Sequence, residues 1–140
     1  MALGTSIPTK HGTMTLEQLA EIQPGMARLM DEFARRYWVL FYAAQAGNWE
    51  LAAYMLNEGA KLLKTIAVTR PRYAGDLAAF ERDNVGPLAR AIEARDWSAF
   101  EKAFHAGIDA SNAYHRKYNK GFIRFRLPNR FPDWLDVTSR

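Results

Sequence analysis

The chain contains no cysteine. Disulfides, thiolate metal sites, thiol nucleophiles and thioether-linked haem are therefore excluded. No segment approaches the ~20 apolar residues that span a bilayer. There is no Gly-x-Ser-x-Gly elbow, no phosphate-cradling glycine loop and no dinucleotide fingerprint. The opening stretch MALGTSIPTKHGTM lacks the basic lead and apolar centre of a secretory signal, which points to a cytoplasmic address.

What is present is ordinary globular composition. The 140 residues are 49% hydrophobic and 13% aromatic, enough for one domain around one core. The net charge of +4 permits an anionic partner without requiring one.

Residues 1–14 are polar and carry Gly4, Pro8 and Gly12, so they read as a flexible arm. Thr15 with Gln18 fits a capping box and opens a short helix that closes near Pro24 and Gly25. In residues 24–46, Met26, Met30, Phe33, Tyr37, Leu40, Phe41 and Ala44 keep helical spacing up to the turn at Gly47 and Asn48. Asn48 caps a second helix, with Trp49, Ala52, Leu56, Gly59, Leu63 and Ile66 inward, which stops before Pro71. A third helix covers residues 73–94 through Leu77, Phe80, Leu88 and Ile92, with a kink or restart expected at Gly86 and Pro87.

Asp96 caps a fourth helix. Trp97, Phe100, Phe104, Ile108, Ser111, His115 and Tyr118 share one of its faces. Beyond Gly121, Ile123, Phe125 and Leu127 alternate with Arg124 and Arg126 and read as a short extended segment. Pro128, Pro132 and Trp134 then suggest an irregular strap packed on the bundle. The expected fold is all-α: an antiparallel four-helix bundle of two helical hairpins, with a short N-terminal helix and an extended C-terminal strap. Residues 15–140 form the single domain. A weak internal echo is read either as two similar hairpins or as convergent turn chemistry: Ala46, Gly47, Asn48 and Trp49 recur as Ala94, Arg95, Asp96 and Trp97 at a distance of 48 residues, and Gly59 matches Gly107.

Three blocks carry a resemblance. They are QAGNWELAAY from Gln45; Asp96, Trp97, Ser98, Ala99, Phe100 and then Phe104; and Ser111, Asn112, Ala113, Tyr114, His115 followed by Gly121, Phe122, Ile123, Pro128 and Asn129. In order and spacing they resemble a family of small bacterial cytochrome c-like helical proteins of mostly unassigned function. In that family the third block reads Cys-Asn-x-Cys-His. Here the two cysteines fall on Ser111 and Tyr114, and only His115 remains. The resemblance implies a bundle of the cytochrome c′ type without its haem linkage.

The functional expectation is a non-enzymatic module. It would bind a small apolar or aromatic molecule, or a protein partner, through Trp97, Phe100, Phe104, Ser111, Tyr114 and His115. Three other readings stay open: a non-covalent haem b protein for redox or sensing with His115 as ligand, a small enzyme using His115 as general base, and a nucleic-acid module using the basic aromatic run of residues 115–130. The bland alternatives are a hydrogen-bonded structural His115, an aromatic stripe that is core, and a tail whose aromatics pack down. On those alternatives nucleic acid is not favoured, and neither is a membrane. Glu101, His105 and Asp109, at spacings of four, read as a solvated face more readily than as metal ligands. No second catalytic group accompanies His115, although Glu81 and Asp83 form an acidic pair near the Pro87 break. A homo-oligomer is compatible with a bundle of this size.

Overall fold

Residues 37–44 of the first long helix are all buried. A helix apolar on every side has to be covered on every side, and that requirement organises the molecule. The computed structural model describes Ala2 and residues 4–138. In it α2 (Met26–Gln45) and α3 (Trp49–Thr69) form one antiparallel hairpin. A composite third helix and α6 (Trp97–Lys117) form the other. α2 packs on α3 and α6, and the strap covers its remaining face.

Both hairpin turns use the same chemistry. Asn48 donates its N–H to the Ala43 carbonyl (2.8 Å) and Asp96 donates to Ala91 (2.9 Å), while Gly47 (φ 78°) and Arg95 (φ 51°) take the left-handed position. The side chains of Asn48 and Asp96 then cap the next helix by accepting from the N–H groups of Leu51 and Ala99. The internal echo is in part this repeated turn. It also has a packing component. A Cβ on Gly59 would press on the Phe33 ring, and one on Gly107 would run into the Tyr37 hydroxyl. Phe33 and Tyr37 lie one turn apart on α2, so the second helix of each hairpin clears space for one α2 ring.

The third helix does not break at Pro87. After a 3-10 turn (Pro71–Tyr73) it runs as α4 (Ala74–Phe80), a π turn (Glu81–Val85) and α5 (Gly86–Glu93). The Gly86 N–H reaches the Glu81 carbonyl. Proline has no N–H to place in an ordinary turn, and the wider turn absorbs that loss without stopping the helix.

Residues 1–14 also differ from the expected loose arm, within those the structure describes. β1 (Ser6–Thr9) pairs antiparallel with β2 (Gly12–Thr15), with Ser6 opposite Thr15 and Thr9 opposite Gly12. α1 (Leu16–Glu21) follows with the capping box formed as expected by Thr15 and Gln18. The fold is thus mostly helical with a small two-stranded sheet, in place of all-α.

The strap is irregular, as expected, and the side chains it crosses satisfy its main chain. The Asn112 amide donates to the Phe125 carbonyl (3.0 Å) and accepts its N–H (2.8 Å). Tyr42 donates to the Pro128 carbonyl (2.6 Å), and Trp38 donates to that of Arg130 (2.9 Å). A segment without sheet partners still needs its polar groups paired. Here α2 and α6 supply the partners.

Candidate functional site

The aromatic stripe of α6 leads into a ladder of near-parallel rings. Trp97 stacks on Phe100 (5.7 Å), Phe100 on Phe104 (5.9 Å), Phe104 on Tyr37 (4.3 Å) and Tyr37 on Phe33 (5.7 Å). Phe100 and Phe104 are completely enclosed. Tyr37 donates its hydroxyl to the Phe104 carbonyl (2.8 Å), and Phe125 of the strap meets its ring edge-on (6.1 Å). Burial pushes the Tyr37 hydroxyl well above its ordinary pKa. The expected ligand-binding side chains Trp97, Phe100 and Phe104 instead pack against Tyr37, Phe41 and Trp49. Two surface hollows, of about 520 and 470 Å³, lie elsewhere. One sits by the hairpin turns around Trp49 and Arg95, the other between β2 and α1.

Ser111, Tyr114 and His115 are half-buried toward the C-terminal end of α6. Tyr114 meets Phe80 edge-on (6.5 Å). The His115 ring was expected to face the interior. Instead it turns to the strap, with Nδ1 2.9 Å from the Ile123 carbonyl. A carbonyl only accepts, so Nδ1 is the donor, and the neutral ring presents its lone pair at Nε2.

Nearby, Asp76 accepts from Lys117 (2.7 Å) and from the Tyr118 hydroxyl, which ties α4 to the end of α6. Those hydrogen bonds hold the Asp76 carboxyl below its usual range and raise Lys117 and Tyr118. Because the carboxylate form is the favoured one, this tie is present above the ordinary carboxylate pKa and is lost as pH falls through the lowered Asp76 value, while the raised Lys117 and Tyr118 hold it at the alkaline side. Glu101, His105 and Asp109 are exposed on one face. Among the described residues no three metal-ligating side chains gather.

The outer surface of the strap has a different character. Residues 110–132 contain six cations and no carboxylate, whereas residues 1–109 carry twelve cations against thirteen carboxylates. Lys117 pairs with Asp76, and Arg130 lies 3.7 Å from Asp133. Among the described residues Arg116, Lys120, Arg124 and Arg126 have no ion-pair partner. Phe125 and Leu127 pack inward as the alternation predicts, but Phe122 is 79% exposed, and Phe131 and Trp134 are about half exposed. Arg35 lies over the Trp134 ring (4.5 Å).

Sequence periodicity identified the basic run. It missed the exposure of Phe131 and Trp134, because Pro128 and Pro132 erase any period around them. It also missed Tyr37, which reads as one more core position. The neighbouring Gly107 was the available signal, since a helical glycine opposite an aromatic residue marks a close approach.

Compared with models of known families, with characterised proteins and with solved structures, the chain matches none.

Proposed function

We propose that this chain is a non-enzymatic helical-bundle binding module, a haem-less relative of c-type cytochrome-like proteins, and that it takes its partner on the outside of the strap. The partner class that fits is single-stranded nucleic acid. The observation carrying this reading is the acid-free run of residues 110–132, with four unpaired cations beside the exposed Phe122 ring. Cations contact phosphates, and exposed rings stack on bases whatever their sequence. The filled interior speaks against a small ligand between the helices.

The test is fluorescence anisotropy with a labelled single-stranded oligonucleotide across a salt series. With about four phosphate contacts, log K should fall against log salt with a slope near −3. Arg124→Ala with Arg126→Ala should make the slope shallower by about 1.4. Phe122→Ala should weaken binding roughly tenfold and leave the slope alone. No binding at low salt, or binding indifferent to all three changes, overturns the reading.

One observation favours a second reading. The hydrogen bond at Nδ1 leaves His115 Nε2 with the free lone pair that an axial haem ligand needs. Its donor chemistry fits, although the interior beside Phe104 is filled. A one-to-one change in the Soret band on titration with haemin, lost in His115→Ala, would support it. An identical response from the variant would remove it.

A further inference from the structure

β1, β2 and α1 form an appendage with no core of its own. None of their residues is buried, and none of their apolar side chains packs against the main core. Their hydrogen bonds are mostly internal, such as Gly4 N–H to the Glu17 carboxylate (2.7 Å) and Leu16 N–H to the Thr5 carbonyl (3.1 Å). Just after α1, the Gln23 side-chain carbonyl accepts from Arg70 (3.4 Å) and ties this segment to the end of α3. A two-stranded hairpin with one short helix is marginal alone in water. Such a unit gains stability by covering its apolar side with something else.

What would cover it is legible in its charge. The open hollow between β2 and α1 is lined by Met14 and Ile22 with Glu17 and Glu21, and Ile22 is 61% exposed. Residues 12–27 carry those two carboxylates and no lysine or arginine. The chain itself holds the complement, which is the corner after α6. There Phe122 and Ile123 are exposed among Lys120, Arg124 and Arg126.

Both surfaces lie at one end of the bundle. Gln23 bonds to Arg70 after α3, Tyr73 meets Tyr118 (4.8 Å), and Asp76 holds Lys117 at the end of α6. Within one chain they nevertheless stay apart, with the hollow open and Phe122 in solvent. Two complementary surfaces at the same end of a molecule can be satisfied reciprocally by a two-fold axis, which closes a dimer and leaves nothing over for a filament.

We propose that the appendage of one copy docks on the basic apolar corner of a second, and that the second returns the same contact. The occupant of the hollow is thus another copy of this chain, recognised by opposite charge around an apolar tip. The dimer shares Lys120, Arg124 and Phe122 with the strap surface, so an anionic partner bound there would compete with it.

The test is sedimentation velocity on the full chain without nucleic acid, over a range of protein concentrations at low and high salt. The wild type should dimerise, and salt should weaken the dimer. Glu21→Lys makes the hollow neutral, and Lys120→Glu with Arg124→Glu makes the corner acidic. Each variant alone should associate at least tenfold more weakly. Mixed one to one, they should associate more tightly than either variant alone, because the unchanged hollow of one meets the unchanged corner of the other. Glu21 and the corner residues are exposed, and circular dichroism checks that both variants stay folded. A wild type that stays monomeric at low salt overturns the proposal. So does a dimer that neither variant weakens, or a mixture that associates no more tightly than either variant alone.

Discussion

Gly107→Ala should destabilise the protein by about 3 kcal/mol, far more than an ordinary glycine-to-alanine change in a helix, which is usually favourable. The added methyl would meet the Tyr37 hydroxyl. That hydroxyl cannot move aside cheaply. Its ring is held between Phe33 and Phe104, and it donates to the Phe104 carbonyl. Relief requires breaking that hydrogen bond and displacing the ring, so an overpacking cost of about 1–3 kcal/mol is added to a bond worth about 1 kcal/mol. Tyr37→Phe alone should cost about 1 kcal/mol. The double variant should be more stable than the sum of the two, because the second change removes the atom that the first collides with. Thermal or urea unfolding of the four proteins measures this coupling. Additive losses would mean that the two residues do not meet as described.

Asn112→Ala should cost about 2 kcal/mol and loosen the strap locally. The Asn112 amide both donates to and accepts from the main chain of Phe125, as a neighbouring strand would. Alanine leaves both groups of Phe125 without a protein partner in a half-buried position, and each such loss is worth about 1 kcal/mol. Phe125 would lose its anchor against Tyr37, so the effect should spread to Leu127 and to the contact between Tyr42 and Pro128. Amide hydrogen exchange should show faster exchange in residues 121–131 and little change in α3. Unaltered protection across the strap would show that its aromatic packing alone suffices.

The bundle was largely legible because its signals are local. Asn48 and Asp96 cap where the sequence places them, and α2, α5 and α6 each end at a left-handed residue, Gly47, Arg95 and Asn119. What was not legible depended on partners distant in sequence. The π turn cannot be read from Gly86 and Pro87, because a proline only says that one donor is missing and not how the neighbouring turns accommodate it. The hairpin of residues 6–15 has weak alternation and Pro8 in a strand, so its pairing is visible only once both strands are seen. Along the stripe on α6, Phe100 and Phe104 are buried in the core while His115 turns to the strap. Whether that face bordered a ligand space or a filled core depended on Tyr37, sixty-seven residues before Phe104.

The way the strap closes over α2 also bears on the order of assembly during synthesis. Trp38 waits for Arg130 and Tyr42 waits for Pro128, partners 92 and 86 residues later in the chain. A ribosome adding about 5–20 residues per second makes that delay roughly 5–18 s. Through that interval α2 can pair with α3 and then with α6, but the side that the strap will cover has nothing of its own chain to meet. The nascent protein therefore passes through a stage with a finished set of helices and one apolar flank still open, the kind of surface on which chaperones act and from which aggregates start.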